Sequence, residues 1–220
     1  MILYKYCDHN GIDLLRKLRI KLTSLENIND PFEFLPQQTN ISTYQTALDE
    51  LRKYQTDNYR IMCFSKNPCS LLMWGHYSDD HKGLLFVLDS DKMNAQVNGE
   101  PAFQEVQYSS KRLFIDLSHI EKESEETLHT VLRDLCYTKH TAWSYEEEVR
   151  AIVRYDQSDA YDFMDIPTSA ILKVVLGLNS DDALLQSIQN LLRQDGFNHI
   201  QLTKAELHPE DYTLIYHPIS

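Results

Sequence analysis

Gly83-Leu84-Leu85-Phe86-Val87-Leu88 is an apolar run with no alternation, and Ile171 to Leu178, ending at Gly177 and interrupted by Lys173 alone, is a second. A strand that faces water on one side alternates apolar and polar residues, so an unalternating strand is read as covered on both faces. Two of them call for a central sheet with other elements packed on each side. At 220 residues, 42% of them hydrophobic, the chain is long enough to supply that cover from one domain with its own core.

The remaining pattern mixes helices and strands without regular alternation, which points to α+β rather than a doubly wound sheet. Leu3 to Tyr6 reads as a short strand, and Ile12, Leu14, Leu15 and Leu18 mark an amphipathic helix with Asp8 or Asn10 as its cap. Asn29-Asp30-Pro31-Phe32-Glu33 is a turn, because the residue before proline is pushed out of the α region, and Phe32 is expected to dock it. Tyr44 to Tyr54 reads as a helix and Tyr59 to Ser65 as a strand. Leu71 to Tyr77 reads as a short helix interrupted by Gly75. Asn98-Gly99 signals a turn, Gln104 to Tyr108 a strand, and Leu117 to Thr141 a long helical region with a solvated acidic face at Glu121 to Glu126. Asp181 to Gln194, closed by Gly196, is a helix; His199 to Leu202 and Tyr212 to Tyr216 are the last strands. There is no internal repeat and no low-complexity tract.

The segment Trp143-Ser144-Tyr145-Glu146-Glu147-Glu148-Val149-Arg150 carries charge on a strand entering the core, running on to Tyr155. Period-two alternation puts Glu146, Glu148 and Arg150 on one face and Glu147, Val149, Ala151 and Val153 on the other. Burying an ionised group costs several kcal/mol unless it is paired, so two carboxylates converging with a guanidinium make either a site or a structural salt bridge at a sheet edge.

A second dense stretch, from Cys63-Phe64-Ser65 through Trp74, His76, Tyr77, Asp79, Asp80 and His81 to Gly83, lies between two core strands, where sites on a rigid scaffold are usually built. His76 and His81 are five apart and do not share a helix face as ligands at a spacing of four do. His76 reads equally as a helix-terminal histidine bonded to a carbonyl, and Trp74 as a core residue. No phosphate-cradling glycine loop, nucleophile elbow or zinc-helix motif occurs. Cys7, Cys63, Cys69 and Cys136 lack metal-knuckle or redox spacing and read as reduced thiols.

A net charge of −12 and a pI near 5.1 argue against broad, non-specific binding to nucleic acid or anionic membrane. No run of about 18 apolar residues occurs. The chain is therefore read as soluble and cytoplasmic.

Asn29-Asp30-Pro31-Phe32-Glu33, Cys63-Phe64-Ser65, Met73-Trp74-x-His76-Tyr77-x-x-x-His81-x-Gly83 and Trp143-x-Tyr145-Glu146-x-Glu148-x-Arg150 resemble, in order, the motifs of the bacterial domain-of-unknown-function family 2971. That name carries no activity. A more distant resemblance does: an aromatic first strand, a strand ending in Phe-Ser, a helix ending in Tyr, a buried strand and a late strand bearing Glu are similar to the ADP-ribosyltransferase fold, a central mixed or split antiparallel sheet flanked by helices.

That resemblance implies NAD and transfer to an unidentified macromolecular acceptor, in phage-defence or toxin-antitoxin settings. It implies Glu148 as the catalytic glutamate, Glu146 as its substrate-orienting partner and Tyr77 as the nicotinamide-stacking ring, with His76 counted in the catalytic set. Tyr4, Lys5, Ser65, Trp74, His81 and Arg150 are the expected cofactor contacts, Ser65 by the resemblance and Trp74 and Arg150 by their own chemistry as a stacking ring and a pyrophosphate partner, and no metal is expected. Lys5 stands where one branch of that superfamily has histidine, and only Phe64-Ser65 remains of its serine motif. Two other readings stay open. One is a metal-dependent nuclease or phosphoesterase using His76, Asp80, His81 and Glu146 or Glu148; the other is a non-catalytic module that binds a ligand or partner protein.

Overall fold

Leu84, Phe86 and Leu88 pack into one hydrophobic cluster while Leu85, between them, packs into another on the opposite face of the same strand. The strand is thus apolar on both sides because both sides are covered. The computed structural model describes residues 1–39, 44–93, 96–97, 100–101, 103–117, 124–154 and 162–219.

In chain order the elements are β1 (Ile2–Cys7), α1 (Ile12–Lys17), β2 (Arg19–Lys21), α2 (Tyr44–Asn58), β3 (Tyr59–Ser65), α3 (Leu71–Tyr77) and β4 (Leu84–Asp89). There follow β5 (Gln96–Val97), β6 (Glu100–Pro101), β7 (Phe103–Glu105), β8 (Gln107–Ser109), α4 (Glu125–Cys136), β9 (Thr138–His140) and β10 (Glu148–Arg154). The chain closes with β11 (Phe163–Asp165), β12 (Ile171–Leu176), α5 (Asp182–Leu192), β13 (Gln201–Leu207) and β14 (Leu214–Pro218).

Eight strands form one sheet in the order β14-β13-β12-β4-β1-β3-β10-β7. β12 and β13 run parallel, joined through α5, and the other neighbours are antiparallel, so the sheet is mixed. Its first face carries the largest core, where Leu14 and Leu15 of α1 and Ile188 of α5 meet Phe64, Phe86, Val149, Ala151 and Val174. Its second face is divided. Over β3 and β10, α2 and α4 bring Leu48, Leu51, Leu132 and Leu135 against Ile61 and Ile152. Over β4 and β12, α3 brings Met73 and Trp74 against Leu85 and Val175.

Where those two covers part, β1 and β3 share one register pair, Tyr4 with Ser65. The sheet opens there, and that opening positions the site described below. Helix entry is fixed locally: Ser70 caps α3 by accepting from the Met73 N–H, Ser124 caps α4, and Asp181 caps α5 by accepting from the Leu184 N–H at 2.7 Å. Among the described residues no helix is long and apolar enough to cross a membrane.

Several local expectations are corrected. Phe32 does not dock the turn; it is 63% exposed, and Phe34, with a φ of 59°, is the ring turned into the core. Gly75 does not interrupt α3, which runs through it, because helical glycine is a cost rather than a stop. The long helical region contracts to α4: Thr138 to His140 forms β9, paired in parallel with β8, and residues 141–146 form a 3-10 turn. Gln104 to Tyr108 divides at Val106 into β7 and β8. The short antiparallel pair β2 and β11 carries no strong sequence pattern. The Asn98-Gly99 turn, Glu121 to Glu123 of the acidic stretch, and Tyr155 lie outside the described residues. Glu125 and Glu126 are exposed in the first turn of α4.

Candidate functional site

Glu148 and Arg150 alternate onto the second face of β10 while Val149 and Ala151 enter the main core on the first. Arg150 grips Glu148 with two parallel bonds, Nε to Oε1 at 2.8 Å and Nη2 to Oε2 at 2.9 Å. Its Nη1 donates to the Cys136 carbonyl at 2.6 Å and its Nη2 also reaches Oε1 of Glu33. This forked geometry suits a guanidinium and a carboxylate that are both out of water.

Glu146 reaches the same place by a different route. It ends the 3-10 turn, and Glu147 after it adopts a left-handed φ of 44°, so strand alternation does not put Glu146 beside Glu148. Lys139 of β9 does: its Nζ donates to Oε2 of Glu146 at 2.5 Å and to Oε2 of Glu148 at 3.1 Å, and lies 4.8 Å from the Trp143 ring centroid. Ser65 holds the turn by donating its hydroxyl to the Glu146 carbonyl at 2.6 Å. Tyr77, at the end of α3, donates to Oε1 of Glu146 at 2.5 Å and accepts from Asn29 Nδ2 at 2.9 Å.

Glu33, Lys139, Glu146, Glu148 and Arg150 are all buried. Such a set is tolerable only because the charges neutralise one another, and three carboxyls face two cations. Burial pushes the Glu146 carboxyl above the usual carboxylate range, Lys139 opposing and Glu148 adding to the push. Burial does the same to Glu33 against the pull of Arg150 and Lys139. Burial also pushes on Glu148, but the Arg150 guanidinium reverses it and holds that carboxyl below its usual range. Glu148 is thus the committed anion, and Glu146 and Glu33 are the carboxyls with raised basicity.

These groups wall a cavity of about 290 Å³ in the opening between β1 and β3. Tyr4, Lys5, Ser65, Tyr77, Glu146, Glu148 and Arg150 of the sequence-derived set all line it. Tyr4 pairs with Ser65, and Ser65 pairs with Glu148, so the three stand in one row across three adjacent strands. Lys5 crosses to β3, its Nζ donating to the Cys63 carbonyl at 3.2 Å.

Three expected contacts lie outside this cavity. Trp74 is fully buried in the aromatic cluster, its Nε1 donating to Tyr216 Oη at 3.1 Å, and His81 stacks flat on it at 6.3 Å. His76 is exposed, with Nδ1 at 3.0 Å from the Tyr145 hydroxyl. Among the described residues no group of three or more His, Cys, Asp or Glu side chains is arranged to hold a metal ion. Sequence reasoning does not reach Lys139, which lies within the expected long helical region, nor the roles of Glu33 and Asn29. The available signal near Lys139 is the strand-favouring pair Tyr137-Thr138 directly after an amphipathic helix.

Residues 73–151 match the model of a family described as "Protein of unknown function (DUF2971)". The matched segment holds Tyr77, Lys139, Glu146, Glu148 and Arg150, and stops short of Asn29 to Glu33 and Cys63 to Ser65. No curated protein and no solved structure matches the chain.

Proposed function

We propose that the chain is an ADP-ribosyltransferase-like enzyme that takes NAD as substrate and passes ADP-ribose to a macromolecular acceptor. The observation that supports this most is the row of Tyr4, Ser65 and Glu148 across β1, β3 and β10, flanked by Tyr77 and Glu146 at one cavity. A volume of about 290 Å³ fits the nicotinamide and its ribose rather than the whole dinucleotide.

In this reading the bond between C1′ of the ribose and the nicotinamide nitrogen breaks, and its electron pair leaves with nicotinamide. The positive charge that develops on the ribose is stabilised by the surplus carboxylate charge of the cluster. An acceptor oxygen or nitrogen then bonds to C1′, and its proton passes to a carboxylate. That carboxylate is Glu146, whose raised basicity suits a base. Glu148, with both oxygens engaged by Arg150, is a positioning residue that holds Lys139 and Arg150. The roles of the two glutamates are thereby exchanged relative to the distant resemblance.

The test is nicotinamide release from NAD by the parent chain, Glu146→Gln and Glu148→Gln. Release is expected from the parent, with a loss of at least about a hundredfold in kcat for Glu146→Gln, the size of one general base. A parent chain that neither binds NAD nor releases nicotinamide overturns the proposal.

A further inference from the structure

A second cavity, of about 440 Å³, lies between β1, α1 and β2. Lys5, Arg19 and Lys21 line it, and among the described residues none of the three forms an ion pair. On a chain of net charge −12, three cations left without a carboxylate around one space favour an anion from outside. The carboxyls at the same wall are already engaged. Asp13 is held by Arg16 and Lys17, and Asp8 accepts from the backbone and side-chain N–H groups of Asn10.

Arg19 is the fixed member of the set. Its guanidinium lies 4.2 Å from the centroid of the Phe163 ring, and that ring is part of the same cavity wall. Stacking sets the plane of the fork without using its N–H donors. Among the described residues none of its nitrogens has a hydrogen-bond partner; Nε is sealed off, but Arg19 as a whole is half-buried, so the terminal nitrogens are the open ones. Lys21 follows on the same face of β2, about 6.6 Å along the strand, and its register partner on β11 is Phe163 itself. One ring therefore neighbours both cations, which brings a forked donor and an ammonium to one place. Lys5 stands where this cavity meets the one walled by Glu146 and Glu148, since Lys5, Tyr6 and Thr23 line both. A stacked fork beside an ammonium suits closely spaced, charged acceptor oxygens. We infer that this cavity binds a diphosphate group, with one phosphate on the terminal nitrogens of Arg19 and the other at Lys21. Two sources carry that group: a dinucleotide whose other end occupies the first cavity, and a separate diphosphate ligand. The assignment concerns binding alone and stands whether or not the chain turns over NAD.

Isothermal titration of the whole chain with inorganic pyrophosphate and with inorganic phosphate tests it. Pyrophosphate is expected to bind, with phosphate at least about tenfold weaker, because a single phosphate gives up one of the two charge-assisted contacts. Arg19→Gln is expected to weaken pyrophosphate at least about tenfold, and Arg19→Lys to restore only part of it, since an ammonium lacks the fork. Lys21→Ala is expected to weaken it about threefold or more. Lys21 is exposed, so its variant reports even if the Arg19 variants fail to fold. Lys53→Ala, an exposed cation on α2, is expected to change nothing. No pyrophosphate binding at millimolar concentration, a Lys21→Ala chain that binds it as the parent does, or an equal loss in Lys53→Ala each overturns the assignment. Displacement of pyrophosphate by NAD assigns the diphosphate to the dinucleotide; pyrophosphate that stays bound in excess NAD assigns it to a separate ligand.

Discussion

Glu33 and Arg150 stand 117 positions apart in the chain and meet as a buried ion pair, Glu33 accepting from the Arg150 guanidinium. The pair ties the Asn29 to Glu33 turn to the centre of β10. Removing Arg150 leaves Glu33, Glu146 and Glu148 buried around Lys139 as their one remaining cation. Arg150→Met is expected to cost about 3–5 kcal/mol in urea unfolding, and adding Glu33→Leu and Glu148→Leu is expected to recover much of it. A loss below about 1 kcal/mol for the single variant would mean that the cluster is open to water.

The cluster's carboxyls give opposite pH signatures. Glu148 has a folded pKa below its usual 4.5, so its contribution is present above that value and is lost as pH falls further. Glu146 has a folded pKa above 4.5, so its contribution is full below 4.5 and is lost as pH rises through the folded value. The stability gap between parent and Glu148→Gln is therefore expected to widen from pH 3 to 6, and the parent's advantage over Glu146→Gln to shrink with rising pH. Denaturant melts at several pH values check both slopes; slopes of one sign would contradict the assignment.

Tyr77→Phe removes a hydrogen bond that favours ionised Glu146 and leaves Asn29 Nδ2 without its acceptor. The Glu146 pKa is expected to rise further, and stability to fall by about 1.5–3 kcal/mol, the range for a bond to a charged group. Carboxyl-carbon NMR titration reads the first effect without any assumption about activity. An unmoved Glu146 resonance would show that the Tyr77 bond is not made in solution.

Two glycines near the site separate packing from propensity. A Cβ on Gly83 would stand 2.1 Å from the Cys7 carbonyl oxygen, whereas one on Gly75 meets nothing within 4 Å. Gly83→Ala is expected to lower stability by about 1–3 kcal/mol or more, since the clash is with backbone. Gly75→Ala is expected to raise it by up to about 1 kcal/mol through helix propensity. Thermal unfolding of the two variants side by side is the check, and equal midpoints would refute the contrast.

The unalternating runs of β4 and β12 announced a covered sheet because burial on two faces leaves a composition that no other strand has. The charged stretch from Glu146 to Arg150 announced paired charge because isolated buried ions are too costly to keep. The α+β class, β3, α3 and α5 were legible for the same kind of reason, since periodicity and capping act over a few residues. Tertiary structure alone decided which charges meet. Nothing local to Lys139 or Glu33 says which charges they pair with, and both joined the cluster through contacts between a separate strand, a turn and β10. The single register pair between β1 and β3 is likewise invisible in either strand, because the opening depends on how two separately covered halves of the sheet diverge. Local sequence set the elements and the need for charge pairing; the partners and the cavity followed from long-range packing.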